Sequence, residues 1–352
     1  MTPLGRLIAA QIRLSGPMPL DEYMQLCLLH PEHGYYATRD PFGAQGDFTT
    51  APEISQMFGE MIGLALAQAW LDQGAPTPFT LAEIGPGRGT LMADILRTIR
   101  VVPGMLDAAQ VTLIEASAHL RRVQREKLGD IAHLDSAAQL PRQPLFLVAN
   151  EFFDALPINQ FQRVSDGWAK RMVTLDDQGR LALALGPAVP GPDAPLGQIR
   201  ETCPAAIPAA QEVARRIAEH GGCAIVIDYG NWAGHGDTFQ ALRAHKPEDP
   251  LENPGEADLT AHVDFQPLAM AAIAAGAQAS RMVTQGEWLA RLGIAARAER
   301  LTQAGDAGAG AALHRLTAPE EMGHLFKVLA FWASRAPVPP GFEPLEPYAH
   351  DA

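Results

Sequence analysis

Two carboxylates three residues apart, Glu151 and Asp154, lie in the stretch Asn150-Glu151-Phe152-Phe153-Asp154-Ala155-Leu156-Pro157. With two phenylalanines between them, they can hold a cationic group by charge-assisted hydrogen bonds against an apolar wall and take a proton from it. Upstream, Glu83-Ile84-Gly85-Pro86-Gly87-Arg88-Gly89-Thr90 carries a different chemistry. Glycines at alternate positions let the backbone approach a ligand closely, and a helix starting there points its free N–H groups at it. The dinucleotide fingerprint asks for a small residue where this chain has Thr90, and a pyrophosphate would be repelled by Glu83. An ammonium would pair with that carboxylate. The turn therefore favours a nucleoside that carries an amino acid, S-adenosyl-L-methionine, over NAD. Glu115 ends the next apolar run, where a carboxylate can accept from both ribose hydroxyls. Asp135 ends the one after, where an adenine amino group would lie, and Asn150 ends the fourth. Taken singly, each is explained as well by a polar strand end, and Glu151 and Asp154 by a helix start whose dipole favours acids. Their joint spacing after the glycine turn favours a ligand.

Such residues need a scaffold that brings strand ends together. Short, nearly continuous apolar runs at 79–84, 111–114, 131–134, 145–149 and 223–227 alternate with helical patterns that include 90–100 and 118–128. This predicts an open α/β fold, a mostly parallel sheet covered on both faces. Residues 161–164, 169–175 and 180–185 read as antiparallel strands with a turn at 176–179, and 230–260 as a long polar loop that is a candidate for binding. A strand is expected at 277–283, and the apolar run 326–331 closes the sheet. The predicted organisation is a helical, substrate-capping region at 1–75, a core at 76–160 and 221–335, inserted strands and a helix for substrate at 161–220, and a tail at 336–352. Arg121, Arg122, Arg125 and Lys127, on the helix after the second strand, read as a solvated face.

Composition narrows the partners. Among 352 residues, 27 Lys and Arg stand against 40 Asp and Glu, a net charge of −13 that disfavours capture of a phosphate backbone. Apolar stretches at 61–71 and 268–279 are too short to span a bilayer. Cys27, Cys203 and Cys223 are too scattered for a zinc site or a disulfide framework, so no metal is expected. Arg6 and Arg13 are the only basic residues before Asp21, which fits neither a secretory signal nor an Arg-rich transit peptide, and a bacterial-type cytoplasmic location is expected.

Six stretches together resemble the MidA-like protein arginine methyltransferases, which assist respiratory complex I assembly in mitochondria and have many bacterial relatives. They are Pro31-Glu32-His33-Gly34-Tyr35-Tyr36, Gly46-Asp47-Phe48-Thr49-Thr50-Ala51-Pro52-Glu53-Ile54-Ser55, the glycine turn from Glu83 to Leu91, the stretch from Asn150 to Pro157, Ile227-Asp228-Tyr229-Gly230, and Asp258-Leu259-Thr260-Ala261-His262-Val263-Asp264-Phe265. The resemblance implies a seven-stranded class I methyltransferase fold with S-adenosyl-L-methionine held by Glu83, Gly85, Pro86, Gly87, Gly89, Glu115, Asp135 and Asn150. It also implies a protein substrate, with symmetric dimethylation of an arginine in a complex I peripheral-arm subunit or its bacterial counterpart. On that reading Glu151 and Asp154 hold the guanidinium, Asp47 and Glu53 close the pocket from the other side, and His262 and Asp264 are proton carriers or loop anchors. Two alternatives stay open: a small-molecule or lysine methyltransferase, and a donor-binding assembly chaperone with little turnover. The sequence leaves the oligomeric state open.

Overall fold

Phe79–Ile84 and Leu145–Asn150 are buried at every position, the pattern of strands covered on both faces. In the computed structural model, which describes residues 1–38, 49–234 and 236–346, these two strands pair in parallel near the middle of the main sheet. Its seven principal strands are, in chain order, β1 (Phe79–Ile84), β2 (Ala109–Ile114), β3 (Ala132–Leu134), β4 (Leu145–Asn150), β5 (Gly222–Asn231), β6 (Ala277–Ala279) and β7 (Phe326–Ala333). They lie in the order β6-β7-β5-β4-β1-β2-β3, and only β7 runs against its neighbours. The mostly parallel open sheet expected from the apolar runs is present. Chain direction of growth reverses between β1 and β4, so a crevice opens at their carboxyl ends.

Three details depart from the expectation. The run at 326–331 does not close the sheet but inserts between β5 and β6. The strand expected at 277–283 is two pieces, Ala277–Ala279 and Val283–Thr284, both paired with β7. Between them, buried Ser280 exchanges hydrogen bonds with Ala330, its hydroxyl accepting from the Ala330 N–H at 2.9 Å. The region 230–260 is no bare loop: Gln240–Arg243, Lys246–Glu248 and Asp258–Thr260 form a small antiparallel sheet. These strands are short and polar, so they leave no apolar run to read.

One face of the main sheet is covered by Gln56–Asp72 and Thr90–Ile99, which meet through Gly59 and Gly63. A Cβ on either would fall 2.5 Å from Asp94 Cβ or 2.9 Å from Thr98 Cβ, so larger residues would push away the helix that carries the glycine turn. The other face is covered by Ala206–His220 and Phe265–Ala274. The first of these, placed by its sequence in the inserted region, buries Val213, Ala214 and Ile217 in the same core as Leu145 and Leu147. A third core joins the helices Pro3–Ser15 and Leu20–Leu29 to the small sheet and to a five-stranded antiparallel sheet containing Asn159–Val164 and Gly167–Leu175. This unit overhangs the crevice. Among the described residues no helix is long and apolar enough to cross a membrane.

Candidate active site

At the end of β1 the chain turns through Gly85, Gly87 and Gly89, all left-handed with φ of 66°, 50° and 74°. L side chains rarely adopt such angles. Thr90–Ile99, here α1, begins directly after. Glu83 lies beneath this turn, buried, and burial pushes its carboxyl up to about 8 despite a hydrogen bond from the Met92 N–H. Its Oε2 is buried with no partner.

Glu115, at the end of β2, accepts from the Ser117 N–H at 2.7 Å through Oε1 and from Gln124 Nε2 at 3.2 Å through Oε2. Burial raises its pKa, and those bonds oppose the rise. One lone pair on each oxygen is left for a pair of vicinal hydroxyls. Ser117 also caps the helix Ala118–Leu128, here α2, whose basic residues are not all the solvated face that its sequence suggested. Arg121 donates to the carbonyls of Glu115 and Leu134 and to Asp135 Oδ1, the last at 2.6 Å. Lys127 Nζ donates at 2.6 Å to Thr90 Oγ1, which donates in turn to Glu53 Oε1 at 2.5 Å. Asp135 is exposed, and Arg121 holds its carboxyl below the usual range.

The other end of the site is built on β4 and β5. Glu151 has a φ of 52°, which is strained for a side-chain-bearing residue. The strain is held by fully buried Asp228, whose Oδ2 accepts from the N–H groups of Phe152, Phe153 and Asp154 at 3.2, 3.0 and 3.3 Å. Glu151 Oε1 accepts from Asn150 Nδ2 at 3.1 Å and from the Ala51 N–H at 3.4 Å. Tyr229 is hydrogen-bonded to Asp154, whose Oδ1 is buried without a partner, as is Asn150 Oδ1. Tyr36, from the N-terminal region, donates to Asp258 Oδ1 at 2.9 Å. Crowding and burial act on all these acids together. Burial, then the charge of Asp154, pushes Glu151 up to about 8; burial raises Asp154 to about 6 and Asp228 well above a normal carboxylate.

One cavity of about 930 Å³ connects the two ends. Glu53, Glu83, Gly85, Pro86, Gly87, Glu115, Asp135, Asn150, Glu151, Asp154 and His262 all line it. Gly89 instead backs the turn, where a Cβ would sit 2.9 Å from Leu128 Cδ1. The ring of His262 packs edge-on against Tyr229 at 5.4 Å, and burial lowers its pKa, so it is neutral at pH 7. Asp264 caps the helix Phe265–Ala274. Asp47 lies outside the described residues. Sequence reasoning passed over Arg121, Gln124, Tyr36 and Asp258 as site residues; Gln124, Tyr36 and Asp258 act through contacts far apart in the chain, and Arg121 lay within a run of charge that read as solvated. It also left out Asp228 and Tyr229, although both stand at the carboxyl end of a predicted strand. Glu115→Ala is expected to weaken donor binding by roughly ten- to a hundredfold, the cost of about 1.5–3 kcal/mol for hydrogen bonds to a charged group. Calorimetric titration checks this, and unchanged affinity would remove Glu115 from the donor site.

Comparison with known proteins agrees with this geometry. The profile of a family described as S-adenosyl-L-methionine-dependent methyltransferases matches residues 61–283. The mitochondrial protein arginine methyltransferase NDUFAF7 of Danio rerio is 36% identical over 359 residues, covering 91% of this chain and 84% of its own. The Xenopus tropicalis protein of the same name is 35% identical over 328 residues, with 83% and 76% covered. In three dimensions the chain is similar to a COG1565 superfamily member from Burkholderia thailandensis bound to S-adenosyl-homocysteine, with a TM-score of 0.85, 30% identity, and 96% and 93% of the two chains covered.

Proposed function

We propose, for a chain that belongs to the S-adenosyl-L-methionine-dependent methyltransferase family, that the acceptor is an arginine side chain of a protein. The observation that carries this reading is the acidic acceptor end: among the described residues, Glu151 and Asp154 are hydrogen-bonded to neutral groups alone, and burial raises both carboxyls, Glu151 further through the charge of Asp154. A guanidinium supplies that charge, with five N–H donors in a planar fork. The family resemblance supports the finer reading: symmetric dimethylation, with a complex I peripheral-arm subunit or its bacterial counterpart as substrate.

The residues fit the donor. Unpartnered Glu83 Oε2 suits its ammonium, the free lone pairs of Glu115 its ribose hydroxyls, and unpartnered Asn150 Oδ1 a further polar hydrogen. Bound there, the donor supplies an electrophilic methyl group on a sulfonium. The protein's part is to hold the guanidinium in line and keep water out. Glu151 and Asp154 orient it, and Glu151 takes the proton that leaves the attacking nitrogen. Phe152, whose ring lies close to Gly85, walls the junction of the two ends.

This arrangement fixes a pH dependence. The free enzyme's carboxylates must be ionised to receive a cation, and their raised values of about 6 and about 8 put that ionisation near neutrality. Arginine itself stays protonated throughout, its pKa being above about 12. The kcat/KM for an arginine peptide should therefore rise with pH between about 6 and 8 and then level off. Arginine peptides should also inhibit methylation of the natural acceptor better than matching lysine peptides, and more at low salt. Equal inhibition by both peptides, or a rate that falls over that pH range, would count against arginine.

A further inference from the structure

Fully buried Gln124, on α2, touches both halves of the donor end. Its Nε2 donates to the carbonyl oxygen of Gly87 at 2.7 Å and to Glu115 Oε2 at 3.2 Å. Its Cγ lies 3.6 Å from where a Cβ on Gly89 would sit. No other described side chain is hydrogen-bonded to both the glycine turn and the carboxylate at the end of β2.

The orientation of that amide follows from chemistry. Gly87 O and Glu115 Oε2 only accept, so they need the NH₂ side, and the amide oxygen must face the other way. There it meets His133 Nε2 at 2.8 Å. An amide oxygen cannot donate, and His133 Nδ1 in turn faces the Ile131 carbonyl oxygen at 3.0 Å, so both ring nitrogens meet acceptors and a neutral ring can donate to one of them. His133 belongs to β3, and burial lowers its pKa. A rotated amide would set its oxygen against two acceptors, Gly87 O and Glu115 Oε2.

We infer that Gln124 is a positioning residue for the donor, a strut that holds the glycine turn and the Glu115 carboxylate at a fixed separation, its amide oriented by those two acceptors. The inference rests on Glu115 as the ribose carboxylate, but not on the nature of the acceptor. Gln124 need not touch the donor. It acts through the two groups that do, so its loss shows in donor affinity and in coupling to Glu115.

The experiment is calorimetric titration of S-adenosyl-homocysteine into the full chain and its variants, with circular dichroism and thermal melts alongside. Gln124→Met keeps the volume and removes the hydrogen bonds; it should weaken binding by about tenfold or more. In a Glu115→Ala background, Gln124→Met should cost clearly less than in the native protein, because one of its two partners has gone. If Gln124→Met does not fold, Gln124→Glu decides: the same shape puts an oxygen against Gly87 O, and binding should fall further still. A folded Gln124→Met or Gln124→Glu that binds within about twofold of the native protein overturns the inference. So do losses from Gln124→Met and Glu115→Ala that simply multiply. If Glu115→Ala weakens binding and Gln124→Met does not, the strut alone fails; if neither has an effect, the placement of the ribose fails with it.

Discussion

Gly87→Val is expected to abolish binding of S-adenosyl-L-methionine and of its demethylated product while the protein keeps its secondary structure and a cooperative melt. Gly87 lines the cavity with a φ of 50°, and its carbonyl is tied to Gln124 at 2.7 Å. A β-branched residue is a true outlier at such an angle. Holding it there costs on the order of 1–3 kcal/mol, and relaxing it would turn the carbonyl away from Gln124. Either way the new methyl groups stand in space where the ligand approaches the turn. The turn is a loop beyond the carboxyl end of β1, outside the three cores. Calorimetry and circular dichroism check both halves. Donor affinity within tenfold of the native protein would place the donor elsewhere.

Glu151→Gln should leave donor affinity near the native value and lower turnover by about a hundredfold or more, the usual range for loss of a proton-accepting group. The amide keeps the shape and can still accept from Asn150 and the Ala51 N–H, as Oε1 does now. It carries no charge for a guanidinium and cannot take its proton. A second readout follows from burial. With the folded carboxyl raised to about 8, the protonated form is the one that suits the fold, so its contribution is fully present below the unfolded pKa and is lost as pH rises through 8. Glutamine has no such loss. The melting temperature of Glu151→Gln should therefore gain on the native protein as pH rises from about 4.5 to about 8 and level off above that. Equal losses of donor affinity and turnover would assign Glu151 to the donor end.

Much of this was legible in the sequence because the informative residues are local. β1 and β4 are nearly continuous apolar runs, and the glycine turn and the Asn150-to-Pro157 stretch sit directly at their ends, so residue order alone places them at one mouth of the sheet. What stayed hidden depends on pairs far apart in the chain. Asp228 clamps a turn more than seventy residues upstream, and Tyr36 reaches Asp258 across the molecule. Arg121 and Lys127 looked solvated because charge on a helix usually is, yet their side chains reach back to β2 and to α1. The small sheet within 230–260 escaped because its strands are only three or four residues long and carry one or two apolar residues each, too few to show a pattern.

The most direct test of the central claim is to incubate the protein with methyl-labelled S-adenosyl-L-methionine and an isolated complex I peripheral-arm subunit, then locate the label by peptide mass spectrometry and hydrolysis. The account predicts label on a guanidino nitrogen, as symmetric dimethylarginine, and its disappearance when that one arginine is changed to lysine. Label that persists in every single Arg→Lys variant, or that appears on lysine, a carboxylate or a small molecule, would contradict it.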